Sequence, residues 1–328
     1  MYTEENVDSA PFFIVGCGRS GTTLLRSMLD SHPLVGVPLE SLFIIDYLSS
    51  RRPPSVLRKL LPGEYELQEW GISCRPEDLS DCASAAEMID RIHRLYLREH
   101  GKSRWGQKTP RFVRFGELLR ARFPGARFIH MIRDPRAVAS SLVRSNVHRS
   151  TLLHAAQRWS TDVSAGLDLK RKHPQQVLCV RYEEMVADPE SELKRICAFL
   201  NLEFVETMLR FHERTPGAYG TYYDKIHSGL SRPVSTSSTD AWRKHLDGRD
   251  VAIVESICRG RMEELGYRCE SADADRPGKV DLLATRVRRL PRMLAQARHY
   301  MKHRSGYVSC TIRRKLVLRT LGPVPINH

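Results

Sequence analysis

The sequence predicts an α/β fold: a mostly parallel central sheet flanked by helices, followed by a basic helical C-terminal extension. Three observations predict it. Short apolar runs alternate with segments of helical period. Two strand-to-helix junctions carry residues suited to binding anions. Positive charge is concentrated in the last fifty or so residues.

The first junction is Pro11 to Pro33, PFFIVGCGRSGTTLLRSMLDSHP. Phe12 to Val15 reads as a strand. Gly16 to Gly21 reads as a tight loop, and Leu24, Leu25, Met28 and Leu29 mark one face of a helix. This is the layout of a phosphate-cradling, P-loop-like element. The helix start offers unpaired N–H groups and a partial positive charge. Gly16 and Gly21 keep the glycine spacing of GxxxxGK[ST], but Thr22 stands at the lysine position. That lysine reaches a β/γ-phosphate, so a nucleoside triphosphate is poorly served. Arg19, Ser20, Thr22 and Thr23 suit a single 5′-phosphate group.

Next, Val35 to Pro38 reads as extended, and Glu40 opens an apolar helical pattern, LESLFIIDYL. Residues 51–81 read as loops and short helices. Ala83 to His100 has helical period. Arg104 to Pro110 follows, with Pro110 suited to the first turn of a helix reaching about Arg122. The second junction is Ala126 to Asn146. Phe128 to Ile132 reads as a strand, and Arg133-Asp134-Pro135 opens a helix carrying Ser140 and Ser141. In open α/β sheets, ligands bind at such carboxyl ends. A helix over Thr151–Lys172 precedes a strand over Gln176–Val180, which ends in Arg181-Tyr182. Helices are predicted over Glu190–Leu200, Phe204–Arg214, Asp240–Leu246 and Val251–Leu265, with Gly266 as a stop. Residues 215–239 show no period, and a loop of that length is usually functional.

The chain has 328 residues and a net charge of +14. From Arg276 onward thirteen Lys/Arg face one acid, Asp281, leaving +2 for the preceding 275 residues. The sequence is therefore divided into a body, 1–275, and a basic extension, 276–328. The body gives nucleic-acid binding little support. The extension mixes arginines with Leu282, Leu283, Val287, Leu290, Met293 and Leu294, interrupted by Pro291, and repeats the mix in IRRKLVLRTL. It reads as a solvated arm, as a helix packed on the body, or as an interfacial segment on an anionic membrane surface. No run of about 18 apolar residues suggests a membrane span. The N-terminus, MYTEENVDSA, lacks a secretory pattern. A cytoplasmic protein is expected, peripheral on the inner face of a membrane if the extension is interfacial. Eight scattered cysteines without a CxxC pair read as free thiols.

The ordered set Arg19-Ser20-Gly21-Thr22-Thr23, Lys108-Thr109-Pro110, Arg133-Asp134-Pro135 with Ser141, Arg181-Tyr182 and Trp242-Arg243 resembles the PAPS-dependent sulfotransferases. PAPS is 3′-phosphoadenosine 5′-phosphosulfate. The layout is most like the bacterial and tyrosylprotein members and covers about Pro11 to Tyr267. The resemblance implies in-line transfer of a sulfuryl group from PAPS to an acceptor hydroxyl, with no metal required. Arg19, Ser20, Gly21, Thr22 and Thr23 would hold the 5′-phosphosulfate. Arg133 and Ser141 match positions that grip the 3′-phosphate, and Tyr182 matches a tyrosine near the nucleotide. Ser231 and Arg243 fall where the family closes over its cofactor. Glu40 matches the general base, and Lys108 would stabilise the leaving group together with Arg19. Acceptor pockets in such proteins are built from loops, here 51–81 and 215–239.

Blander readings stand beside each role. Arg133 could pair with a helix carboxylate, and Ser141 could pack a helix. Glu40 could be a first-turn acid, Lys108 a surface charge and Tyr182 a core-edge residue. His148 and His154 are alternative bases. A nucleotide-dependent phosphotransferase and a non-catalytic, membrane-associated protein that keeps the fold are the rival functions.

Overall fold

The computed structural model describes residues 10–145, 150–213, 231–271 and 279–319. The opening apolar run becomes strand β1, Phe12–Gly16, buried throughout. Its alternation sends Phe13 and Val15 into one core layer and Phe12 and Ile14 into the other. A strand covered on both faces needs apolar residues at every position, which is why FFIV shows no polar alternation. With β2 (Val35–Gly36), β3 (Arg104–Lys108), β4 (Arg127–Ile132) and β5 (Val177–Arg181) it forms one sheet, in the order β2-β3-β1-β4-β5. All pairings are parallel; Ile14 lies opposite Lys108, and Gly16 opposite Met131.

The strand that hydropathy hides is β3, sequence RWGQK. All five residues are nevertheless buried. Arg104 turns its guanidinium onto the carbonyls of Ala10 and Leu200. Gly106 is covered by the Phe12 ring, which a Cβ there would meet at 2.2 Å. Polar side chains are tolerated in this strand because each is bonded.

The helices are α1 (Thr22–Asp30), α2 (Phe43–Ser49), α3 (Pro54–Leu60), α4 (Tyr65–Glu69), α5 (Ala85–Glu99), α6 (Gly116–Arg122) and α7 (Pro135–Arg144). They continue with α8 (Leu152–Lys172), α9 (Tyr182–Ala187), α10 (Pro189–Leu200), α11 (Gly248–Glu264), α12 (Lys279–His303) and α13 (Ser305–Leu318). Four expectations need correction. The helix expected from Pro110 begins as a 3-10 turn, Pro110–Phe115, before α6. Phe204–Arg214 is two 3-10 turns, Glu206–Met208 and Phe211–Glu213, since Met208 and Phe211 anchor separately in the core. Asp240–Leu246 is likewise a 3-10 turn, Ala241–Lys244, with Trp242 buried. Pro291 does not interrupt α12, which runs through it. All eight cysteines are free thiols. Residues 214–230 and the expected boundary at 275/276 lie outside the described residues.

The last helix, α13, packs on α2 and α4. Its Arg314 is fully buried and bonds Asp46 and Glu64. Tyr47 donates to the other Glu64 oxygen at 2.8 Å, and Arg304 pairs with Glu69. Of the readings open for the extension, α13 thus has the packed one. Beside this cluster Glu66 is buried, and neither of its carboxylate oxygens has a hydrogen-bond partner among the described residues. Burial pushes its carboxyl up to about 7, against the opposing charge of Arg314.

That carboxyl makes stability depend on pH. The unfolded chain releases the Glu66 proton near 4.5, and the folded chain holds it to about 7. Between these values the folded state binds the extra proton, so stability falls as pH rises. Glu66→Gln is expected to flatten that slope and to stabilise the protein at pH 8 by up to about 3 kcal/mol. Urea unfolding of both proteins at pH 4.5 and pH 8 measures this. An unchanged slope would assign the pH dependence elsewhere.

Candidate active site

Three adjacent strands deliver the site. Strands β3 and β4 flank β1 on opposite sides, so the chain order reverses there, and in such sheets the crevice outside the carboxyl ends at this point is where ligands bind. The loop after β1, the end of β3 and the turn after β4 all converge on this crevice.

The loop is shaped by backbone conformations that ordinary residues avoid. Gly16 has φ +144°, and a Cβ there would lie 2.4 Å from the Met131 carbonyl oxygen. Gly21, the residue before α1, has φ +87°, and a Cβ would lie 2.3 Å from the Tyr182 ring. Arg19 is left-handed at φ 73° without being glycine. Such strain persists where the surroundings enforce it, and it clusters at functional sites. Here Arg19 Nε donates to Ser141 Oγ at 3.0 Å, and the Arg19 carbonyl accepts from Arg133 at 3.1 Å. Burial, and next the charge of Arg133, lower the Arg19 pKa. Ser20 is fully buried, yet its hydroxyl has no hydrogen-bond partner among the described residues. Thr22 is buried and Thr23 half-buried.

The β4 turn carries Arg133. Besides the Arg19 carbonyl it donates to the Ser238 carbonyl at 2.7 Å, and it lies 4.1 Å over the Tyr182 ring. Tyr182 in turn meets the Ser238 hydroxyl at 2.6 Å. Arg133 therefore serves carbonyls and a ring, and its buried Nε has no hydrogen-bond partner among the described residues. The turn is held from behind. Trp159 donates to the Arg133 carbonyl at 2.8 Å, and the Asp134 N–H donates to Glu183 at 2.9 Å.

At the end of β3, Lys108 is 1% exposed and forms an ion pair with Glu40, whose side chain is 13% exposed. It also lies 3.2 Å from the Thr23 hydroxyl. Lys108 is no surface charge: burial lowers its pKa, and Glu40 opposes that shift. Nor is Glu40 a first-turn acid, since α2 begins at Phe43. It sits in a segment whose backbone is clamped on both sides. Arg26 donates to the carbonyls of Val37 and Pro38 at 2.8 and 3.2 Å. Trp70 and Gln107 donate to the Leu39 carbonyl, and the Ser41 N–H donates to Thr109 Oγ1. The Gln107-Lys108-Thr109 stretch thus does two jobs: its ends fix the backbone around Glu40, and its lysine meets the carboxylate.

The structure brings together Arg19, Ser20, Gly21, Thr22, Thr23, Glu40, Lys108, Arg133, Ser141 and Tyr182. Two expected residues are placed otherwise. Arg243 lies against Trp242 and pairs with Glu270 and Asp240. Ser231 is exposed, and the residue of that segment that reaches Arg133 and Tyr182 is Ser238. Sequence reading also missed Arg26, Thr109 as a clamp, and Ser238. The Arg26 position offered one signal, a charge on the apolar side of α1, where it is 2% exposed. His154 bonds Ser150 at 3.0 Å and is pushed down to about 4, first by burial and then by Arg289, Arg158 and Arg114. His148 lies outside the described residues.

Fold and site together define an α/β protein with a P-loop-like turn beside a buried carboxylate–lysine pair. A family model described as Sulfotransferase family matches residues 11–206, and the chain belongs to that family. It is an enzyme of the sulfotransferase class, for which PAPS dependence is the general property. Protein-tyrosine sulfotransferase 1 of Danio rerio is 27% identical over 280 residues, covering 80% of this chain and 73% of the relative. Protein-tyrosine sulfotransferase 2 of Gallus gallus is 28% identical over 272 residues, covering 78% and 68%. Among solved structures, the sulfotransferase domain of the Synechococcus PCC 7002 olefin synthase matches with a TM-score of 0.60 at 23% identity, covering 81% of this chain and 98% of that one. The sulfotransferase domain from the curacin biosynthetic pathway matches with a TM-score of 0.55 at 18% identity, covering 80% and 99%. These two structures share the fold.

Gly21→Ala is expected to destabilise the protein by about 1–3 kcal/mol, because it forces φ +87° on a side chain and drives Tyr182 from its place. Urea unfolding reads the loss. A variant as stable as the parent would show that the loop is not held as described.

Proposed function

We propose that the chain transfers the sulfuryl group of PAPS to an acceptor hydroxyl, with Glu40 as general base. The observation that carries this is the Glu40–Lys108 pair beside Thr23, which puts a carboxylate and a cation at the mouth of an anion-binding loop. The buried Ser20 hydroxyl and the Arg133 Nε, both without hydrogen-bond partners among the described residues, suit the two anionic ends of PAPS.

Arg19, Ser20, Gly21, Thr22 and Thr23 would hold the 5′-phosphosulfate at the start of α1. Arg133 and Ser141 would grip the 3′-phosphate by charge-assisted bonds, with Tyr182 stacked under the guanidinium. Bound PAPS supplies an activated sulfuryl group whose bond to the phosphate oxygen breaks as the acceptor oxygen attacks sulfur. Glu40 takes the acceptor's proton. Lys108, together with Arg19, offsets the negative charge developing on the leaving oxygen. These cations do the work that a metal ion does in nucleotide hydrolases, so no metal is required.

The relatives named as protein-tyrosine sulfotransferases support a tyrosine phenol as the acceptor. A phenol ionises near 10, well below an aliphatic alcohol, which lightens the task of a carboxylate base.

Isothermal titration with adenosine 3′,5′-bisphosphate in EDTA tests the donor site. Micromolar affinity is expected, and Arg133→Ala should weaken it by about 2–5 kcal/mol. Absence of binding would reject this donor assignment, and binding only of ATP with magnesium would favour a phosphotransferase. Glu40→Gln should keep that affinity but lose sulfuryl transfer from radiolabelled PAPS to a tyrosine peptide by about a hundredfold or more. A near-normal rate in this variant would exclude Glu40 as the base. Transfer to a serine peptide but not to the tyrosine peptide would exclude the phenol.

A further inference from the structure

All seven large apolar side chains that stand exposed among the described residues lie on the last two helices. On α12 they are Val287, Leu290, Met293, Leu294 and Met301; on α13 they are Ile312 and Leu316. Val287, Leu290, Leu294 and Met301 follow the spacing i, i+3, i+7, i+14, which is one face of a helix. The other side of α12 is the buried one, carrying Gln296 and Tyr300. Leu290 and Leu294 are 61% and 67% exposed, so the stripe is open rather than covered by the body. Arg298 and Lys302 are exposed along its border. After Asp281 the sequence contains no acid at all.

We infer that the outer face of α12 is a docking surface for an anionic lipid bilayer, on which the helix lies parallel to the membrane. An apolar stripe with a cationic border and no acid is complementary to acyl chains beneath negative headgroups. At 25 residues α12 is about 37 Å long, enough to spread the stripe over several lipids. Long Arg and Lys stems can lie along the apolar surface while their charges reach headgroups. A second copy of the chain fits less well. Pairing two stripes would bring Arg298 and Lys302 of both copies together, and the one acid in the helix sequence, Asp281, lies more than four turns away along it. No helix among the described residues is long and apolar enough to cross a membrane. The α13 anchor, in which Arg314 bonds Asp46 and Glu64, ties this part of the chain to the body. The inference is independent of the catalytic reading, because none of these residues belongs to the crevice.

Co-sedimentation of the full chain with phosphatidylcholine vesicles, with and without phosphatidylglycerol, tests it. Binding is expected to the anionic vesicles, at least about tenfold tighter than to phosphatidylcholine alone, and weaker at high salt. The double variant Leu290→Glu/Leu294→Glu should lose at least about tenfold of that binding while keeping its circular dichroism and adenosine 3′,5′-bisphosphate affinity. Arg298→Glu/Lys302→Glu gives a second, charge-only variant, expected to act in the same direction. No binding to anionic vesicles, or unchanged binding by both variants, overturns the inference. So does a dimer in sedimentation velocity that Leu290→Glu/Leu294→Glu converts to monomer.

Discussion

The structure depends on one buried ion pair. Lys108, with 1% of its side chain exposed, sits in the crevice facing Glu40. A lysine taken out of water needs a partner, and removing either member of such a pair costs about 3–5 kcal/mol. The surrounding architecture is arranged around that requirement. Strand β3 is short and polar because it must bring Lys108 up beside β1, and Gln107 and Thr109 spend their polar atoms on the backbone around Glu40. Arg26 reaches across from α1 to the carbonyls just before it. The carboxylate is thus fixed relative to the loop helix by the same residues that keep β3 in the sheet.

The loop after β1 is built on a parallel principle. Arg19 is held left-handed by Ser141 and Arg133, and Gly21 is crowded by Tyr182. The two strand-to-helix junctions are therefore one unit rather than two independent turns. Strain at Arg19 is supported by hydrogen bonds to residues more than a hundred positions away in sequence.

Much of this was legible in the chain. FFIV followed by a glycine loop and a helical face is a local pattern, and so is FIHMI followed by Arg133-Asp134-Pro135. Local periodicity and turn chemistry specify such units without help from the rest of the fold. What was hidden is long-range. RWGQK carries no strand signal, because its polar residues are satisfied by partners distant in sequence. Ser238 reaches the Arg133–Tyr182 cluster from a loop, and no periodic element announces which hydroxyl arrives there. The family resemblance pointed to Glu40, but its clamps became visible only when Arg26, Trp70 and Thr109 were folded onto it. The turns around Met208 and Phe211 mimic helical spacing, since two anchors three residues apart look alike in either conformation.

The central claim is that Glu40 and Lys108 act as one catalytic unit at the anion loop. A double-mutant cycle with Glu40→Gln and Lys108→Met, read as the rate of PAPS-dependent transfer to a tyrosine peptide, tests it most directly. The account predicts strong non-additivity, with the double variant no slower than the worse single variant. Losses that simply multiply would show that the two residues act independently and would contradict the account.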